Sequence, residues 1–144
     1  MDNITKPLLK FRVYVRAKHG PKTPFFWCSI WRNIPQMRAH SRDIQAAFPG
    51  IRNARSCLKA FASCYSWAET ETHELGILLF AMPYTGASTI AHECTHAAFR
   101  YCPTVKGRHT ADYLEEMYAC VVGEMSQQIV KRLTVWDRKR AKRG

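Results

Sequence analysis

Five consecutive residues, His92-Glu93-Cys94-Thr95-His96, form an H-E-x-x-H pattern within a segment that we expect to be helical. In an α-helix of 3.6 residues per turn, His92 and His96 lie one turn apart on the same face. Two imidazoles so placed can bind one Zn²⁺, and Glu93, one position further round the helix, can reach a water molecule on the metal. Zinc lowers the pKa of such a water to roughly 7, and a carboxylate can then remove its proton. The pattern therefore predicts metal-dependent hydrolysis.

The residues around the pattern favour a helix that would position the two imidazoles. Residues 85–88 are turn-like, and Ser88 or Thr89 can serve as the N-cap. Neither Gly nor Pro occurs from Thr89 to Tyr101, and Pro103 follows directly after Cys102. Proline ends helices because it lacks the N–H that the next turn needs. We therefore expect a helix over residues 89–101, with the pattern in its middle.

A catalytic zinc ion usually has three protein ligands, so a third must lie elsewhere in the chain. Apolar residues at helical spacing predict a second helix over residues 111–133, and acidic residues lie near its start. We predict Glu116 as the third ligand, with Glu115 or Asp112 orienting an imidazole N–H. The alternative is that these acids face solvent, where they interact favourably with the helix dipole.

His109 is the competing third ligand. It lies in the predicted loop 102–110, thirteen residues after His96. Imidazole and carboxylate are both good zinc ligands, so the residues alone leave Glu116 and His109 open.

The segment 89–99, Thr-Ile-Ala-His-Glu-Cys-Thr-His-Ala-Ala-Phe, followed by Glu-Glu-Met-Tyr-Ala-Cys-Val-Val-Gly over 115–123, resembles the small zincin-type metallopeptidases of tailed bacteriophages and prophages. The motifs cover roughly residues 76–125. The resemblance implies His92, His96 and Glu116 as zinc ligands and Glu93 as the base. It also implies a gluzincin-like hydrolase with a small zincin-like α+β fold, in which a short, mostly antiparallel sheet packs against the H-E-x-x-H helix and a second, ligand-bearing helix.

A weaker resemblance is to SprT-like proteases, which have a third histidine at about the distance of His109. Those proteins usually carry Gly after that histidine, where this chain has Thr110, and often have a downstream cysteine zinc module, where this chain has only Cys120. This resemblance would imply a protease acting on DNA-bound proteins.

The composition predicts a single folded domain over residues 1–137, followed by a basic C-terminal tail over 138–144. A chain of 144 residues with 47% hydrophobic content is long and apolar enough for a core. The longest apolar run, Ile77–Met82, is too short to span a bilayer, and no apolar signal region precedes Pro7. We therefore expect a cytoplasmic protein (in the host cytoplasm if phage-encoded) with no membrane partner.

The chain is basic, with 22 Lys and Arg against 11 Asp and Glu, a formal charge of +11. A basic tail can bind nucleic acid nonspecifically through phosphates, or can be a solvated terminus. The alternative to an enzyme is therefore a non-enzymatic, zinc-stabilised module that binds nucleic acid or protein.

The remaining elements were assigned from hydrophobic spacing. We expect strands over residues 8–17 and 25–31 as an antiparallel pair, a short helix within 35–48, a helix over 56–67 and a strand over 76–81. Strand 76–81 could lie at a sheet edge, where it would bind an extended peptide, or in the sheet centre. Trp27, Trp31 and Trp67 are expected in the core. The six cysteines contain no C-x-x-C and are expected to be buried free thiols.

These expectations combine into a zinc-dependent peptidase whose partner is a peptide or protein substrate. Zinc on His92, His96 and Glu116 would polarise the scissile carbonyl, and Glu93 would deprotonate the attacking water and pass the proton to the leaving amine. Four further side chains are candidates for stabilising the oxyanion: His19, His40, His73 and Tyr113.

Overall fold

A mixed β-sheet forms the centre of the computed structural model, which describes residues 6–53, 62–67, 73–105 and 107–144. The strands are β1 (Leu9–Tyr14), β2 (Phe25–Trp31), β3 (Arg52–Asn53), β4 (Ala62–Ser66) and β5 (Glu74–Ala81). The helices are α1 (Ile34–Ala47), α2 (Ala87–Tyr101) and α3 (Ala111–Ala141). The predicted α+β class is confirmed.

The strand order in the sheet is β1-β2-β5-β4-β3. The predicted antiparallel pairing of β1 with β2 is confirmed, with Phe11 opposite Cys28. β4 is antiparallel to β5 and to β3, whereas β2 and β5 run parallel. The predicted strand 76–81 is confirmed as β5, but it lies between β2 and β4. The edge position considered for it is therefore wrong, and the central position is right.

The two faces of the sheet are covered by different helices. On one face Phe26, Leu78 and Phe80 pack in the same apolar cluster as Ile90 of α2 and Met125 of α3. On the other face α1 packs on the sheet, and its Met37 and Ile44 share a cluster with Tyr65 and Leu79. Since each buried side chain of this size contributes roughly 1.5–3 kcal/mol, both faces contribute to the stability of the sheet.

The buried Tyr65 also anchors α1 to the sheet through its hydroxyl group. That hydroxyl forms a hydrogen bond with the Ser41 hydroxyl and accepts one from the Gln45 side-chain amide at 3.1 Å. Asn33 caps the start of α1 by accepting from the Gln36 N–H at 3.0 Å. The short helix predicted within 35–48 is therefore confirmed.

The predicted helix over 56–67 is wrong where the structure describes it. Residues 56–61 lie outside the described residues, and Ala62–Ser66 is the strand β4. All five of its residues are buried, so the strand lacks the alternation of buried and exposed positions that identifies a half-buried strand. Its partner β5 carries Gly76, where a Cβ atom would lie 2.0 Å from the Tyr65 carbonyl oxygen. Only glycine permits the two strands to approach so closely.

α2 and α3 match the two predicted helices but extend beyond them. α2 begins at Ala87, with Gly86 as its N-cap in place of the predicted Ser88 or Thr89. In α3, the Thr110 hydroxyl accepts from the Tyr113 N–H at 3.2 Å, and the helix continues to Ala141. The predicted basic tail 138–144 is exposed as expected, but its first four residues are helical.

α3 also binds the outer edge of the sheet. The Gln128 side chain accepts a hydrogen bond from the Tyr14 N–H at 2.9 Å and donates one to the Tyr14 carbonyl at 2.8 Å. Glu124 accepts from the Ala17 N–H at 2.8 Å. These bonds occupy the C-terminal end of the β1 edge and the residues just after it, which would otherwise be open to pairing with another chain.

Four of the predicted buried thiols are confirmed: Cys28, Cys64, Cys94 and Cys102 are free and buried. Cys120 is free but exposed, and Cys57 lies outside the described residues. Of the three tryptophans expected in the core, Trp31 is buried whereas Trp27 and Trp67 are only half-buried. Within the described ranges no helix is long and apolar enough to cross a membrane.

Candidate metal centre

His92 and His96 meet on the solvent side of α2. Their Nε2 atoms lie 3.1 Å apart, and their ring planes are nearly perpendicular, at 83°. His92 is exposed and His96 half-buried, so the pair is open to solvent. Without a metal, the Nε2–H of one imidazole can donate to the unprotonated Nε2 of the other.

The spacing of the two nitrogens fits a shared zinc ion. Two imidazole nitrogens, each about 2.1 Å from a tetrahedral zinc, lie about 3.4 Å apart. The observed 3.1 Å between the Nε2 atoms of His92 and His96 is close to that separation. The separation of the two nitrogens is therefore already close to that of a metal-bound pair.

The environment of His96 favours the protonation state that binds metal. Burial lowers the pKa of His96, and the nearby positive charges of His92 and Arg100 lower it further. A lowered pKa keeps the imidazole neutral at neutral pH, as a metal ligand must be.

Glu93 lies on the inner side of the same helix, against the sheet. It is only 6% exposed, one of the few charged side chains buried in the described part of the chain. Burial raises the pKa of this carboxyl from 4.5 to about 7. The carboxyl is close enough to the Cys64 thiol of β4 to raise the pKa of that thiol, although burial is the larger cause. Glu93 therefore lies between α2 and β4.

Contacts between α2 and α3 place the second helix relative to the histidines. Near its C-terminal end α2 brings Phe99 to Tyr118, with ring centres 5.0 Å apart. In the middle of α2, Cys94 lies beside Ser126, whose hydroxyl lowers the pKa of the thiol against the larger effect of burial. The two helices therefore run antiparallel.

This arrangement puts Glu116, two residues before Tyr118, beyond the level of Phe99, at about that of Tyr101. His96 is five residues before Tyr101, so Glu116 lies about 7–8 Å further along the axis than His96, at about 1.5 Å per residue. Glu116 is exposed, and its carboxylate accepts a hydrogen bond from the Cys120 thiol at 3.5 Å. Asp112 and Glu115 are also exposed.

His109 is half-buried in the loop before α3 and stacks on Tyr113, with ring centres 4.7 Å apart at 18°. Its Nε2 is buried, with no hydrogen-bond partner among the described residues. A Cβ atom on Gly107 would lie 3.4 Å from that nitrogen, so the ring packs closely over the glycine.

The structure thus brings two of the predicted ligands together and leaves the third apart. Among residues 6–53, 62–67, 73–105 and 107–144, no three His, Cys, Asp or Glu side chains are grouped so as to hold a metal. Glu116 and His109 both remain predictions for the third ligand.

The side chains considered for stabilising the oxyanion lie on different faces of the sheet. His40 belongs to α1, and His19 stacks on Tyr14, whose side chain lies on the α1 side of the sheet. Both are on the opposite face from α2, which removes them as candidates. Tyr113 lies on the α2 side, at the start of α3.

Sequence reasoning did not anticipate that β4 borders Glu93. The strand is hidden in the sequence because the spacing of apolar residues over 56–67 favours a helix.

The chain matches no family model, and comparisons with curated proteins and with solved structures gave no match either.

Proposed function

We propose that the protein is a zinc-dependent peptidase in which His92 and His96 hold the metal and Glu93 is the general base. One observation carries this proposal: two imidazole nitrogens 3.1 Å apart, on the helix that also carries a buried carboxyl with a pKa of about 7. Solvent-exposed ligands next to a desolvated acid are the combination that metal-assisted hydrolysis requires.

Glu93 has the properties needed for proton transfer at neutral pH. A general base is most effective when its pKa is near the working pH, because it then accepts and releases a proton with equal ease. Glu93 would remove the proton of the attacking water and deliver it to the leaving amine. When bound, zinc would supply Lewis acidity, polarising the scissile carbonyl and making the water more acidic.

The sheet next to Glu93 offers a place for an extended peptide. β3 pairs with β4 only at Tyr65 and Ser66, and no described strand pairs with Ala62–Cys64 on the side away from β5. We propose that an extended peptide or protein substrate forms main-chain hydrogen bonds along β4, beside Glu93.

The experiment is a paired measurement of zinc content and peptide cleavage. The purified chain, His92→Ala, His96→Ala and the control His19→Ala, an exposed histidine on the opposite face of the sheet, are dialysed against zinc, and bound metal is quantified. Each is then incubated with a mixed peptide pool, and new amino termini are counted by mass spectrometry. We expect one zinc and cleavage in the wild type and in His19→Ala, and neither in the other two. Full zinc binding by His92→Ala would refute the ligand assignment.

A second candidate, a SprT-like protease acting on DNA-bound proteins, is favoured by the unpartnered buried Nε2 of His109. Under this candidate His109 is the third ligand, and cleavage of a DNA-bound protein is stimulated by DNA. Loss of zinc from His109→Ala, with normal zinc in Glu116→Ala, would favour it.

A further inference from the structure

The face of β1 and β2 that lies on the α1 side carries cations and aromatic rings in alternation. Antiparallel pairing sets Arg12 opposite Trp27 and Tyr14 opposite Phe25, so these side chains share one face. We call the following six residues the basic-aromatic strip: Lys10, Arg12, Tyr14, His19, Phe25 and Trp27.

Each cation of the strip lies over aromatic rings. The Arg12 guanidinium carbon is 4.6 Å from the centre of the Phe25 ring and 5.2 Å from that of Trp27. The Lys10 Nζ atom is 5.0 Å from the centre of the Trp27 ring. Lys10 and Arg12 are exposed, and Trp27 is half-buried. The charges are therefore held at the surface, directly beside planar groups.

The rings of the strip also contact one another. Tyr14 and His19 stack face to face, with centres 3.7 Å apart and planes 4° from parallel. Phe25 is 5.9 Å from Tyr14 and meets Trp27 edge to face at 5.6 Å. The strip is thus a continuous series of planar groups along two strands.

Charge along the chain is concentrated around the strip. Residues 6–42 contain nine Lys and Arg and no Asp or Glu, whereas the whole chain has 22 basic and 11 acidic residues. Two carboxylates lie on this side or beside it. Glu74 of β5 is the register partner of Phe25. Asp43 of α1 lies near His40, whose pKa is lowered mainly by burial and also by Lys10. The segment that builds β1 and β2 therefore contributes most of the net positive charge, and its electrostatic complement is a polyanion.

We propose that the basic-aromatic strip binds single-stranded nucleic acid. Lys10 and Arg12 would contact phosphates, while unpaired bases would stack on the accessible rings of Tyr14, His19 and Trp27 and on the guanidinium plane. Phe25 is buried beneath Arg12 and supports the strip from below. A duplex hides the faces of its bases, so stacking selects single strands. The strip lies on the opposite side of the sheet from His92 and His96, and the proposal is therefore independent of the peptidase.

The first test compares two double variants that remove equal charge. Lys10→Gln with Arg12→Gln changes the strip, and Lys139→Gln with Arg140→Gln changes the exposed end of α3. Binding of the full chain to labelled oligo-dT and oligo-rU is measured by fluorescence anisotropy at several salt concentrations. We expect about tenfold weaker binding for the strip variant, with a salt slope smaller by about 1.4, since each phosphate contact on a single strand contributes about 0.7. The control variant should change affinity by less than about threefold.

The second test separates stacking from charge. Trp27→Leu should weaken binding about fivefold or more, because one stacked base contributes about 1–3 kcal/mol. Trp136→Leu is the matched control, since Trp136 lies under Arg140, 4.8 Å from the ring centre. If Trp27→Leu does not fold, as judged by circular dichroism, Tyr14→Leu replaces it.

Three results would overturn the proposal. These are equal losses in the two double variants, binding of duplex DNA as tight as that of single strands, and binding of inorganic polyphosphate as tight as that of oligo-dT. The last two would mean that the strip recognises charge alone. Different affinities for oligo-dT and oligo-rU identify which of the two single-stranded nucleic acids the strip prefers, and binding to either supports the proposal.

Discussion

The Nε2 atoms of His92 and His96 lie 3.1 Å apart at the surface of α2. Glu93, the residue after the first histidine, is buried about 100° further round the same helix, against β4. One turn of helix therefore holds two solvent-accessible nitrogen ligands and one desolvated acid.

Glu116 is the predicted third zinc ligand, and its removal should weaken zinc binding. We expect Glu116→Ala to weaken zinc binding more than tenfold, because a two-histidine site lacks the third protein donor that catalytic zinc sites usually have. Isothermal titration calorimetry with zinc measures the change. Asp137→Ala, an exposed acid near the other end of α3, is the matched control and should bind zinc normally. Unchanged zinc affinity in Glu116→Ala would reject this ligand, and His109→Ala is the variant to measure next.

The raised pKa of Glu93 makes the stability of the metal-free protein depend on pH. Its pKa is about 7 when folded and 4.5 when exposed, so between these values the folded chain keeps a proton that the unfolded chain has lost. Glu93 therefore contributes most to the free energy of unfolding below pH 4.5, and this contribution declines as the pH rises to 7. The free energy of unfolding falls by at most about 3 kcal/mol over this range, because each pH unit between the two pKa values contributes about 1.36 kcal/mol.

Urea unfolding of the wild type and of Glu93→Gln, with a chelator and a reductant present, measures this effect. The neutral amide does not ionise, so we expect the variant to gain stability relative to the wild type between pH 5 and pH 8. A constant difference in the free energy of unfolding over this range would show that the Glu93 carboxyl is not desolvated.

The close approach of β4 and β5 predicts a strong effect at Gly76. A Cβ atom there would lie 2.0 Å from the Tyr65 carbonyl oxygen and 2.9 Å from Ser66 Cα, so the two strands must separate. We expect Gly76→Ala to lower the free energy of unfolding by about 2 kcal/mol or more. Thermal and urea denaturation provide the measurement.

Gly123→Ala is the control for that substitution. Gly123 lies in α3, and a Cβ atom there would meet nothing within 4 Å. Alanine in a helix interior is favoured over glycine by about 0.5–1 kcal/mol, so this variant should be more stable than the wild type. Equal effects at the two glycines would contradict the predicted clash at Gly76.

The sequence predicted those elements whose spacing has a clear period or stop signal. The helix over 89–101 is bounded by a turn and by Pro103, and strands 8–17 and 25–31 follow an apolar pattern that favours pairing. The sequence does not reveal β4, because apolar residues over 56–67 lie at helical spacing and because a strand buried on both faces lacks alternation of apolar and polar residues. The order of strands, and with it the central position of β5, depends on long-range pairing that spacing does not encode.

For the site, helical periodicity alone predicts that His92 and His96 lie close together, because both are on one helix. The position of Glu116 depends on how α3 crosses α2, which is set by packing such as that of Phe99 on Tyr118. The burial of Glu93 could not be predicted for the same reason, since it depends on which strand lies beneath α2.

The most direct test of the peptidase is the cleavage rate of Glu93→Gln measured at the same zinc content as the wild type. Both proteins are loaded with one zinc, confirmed by metal analysis, and incubated with the same peptide pool, and new amino termini are quantified over time. We predict that the variant keeps its zinc and cleaves at least about a hundredfold more slowly, the usual contribution of a general base. Equal cleavage rates at equal zinc content would contradict the proposal that Glu93 activates the attacking water.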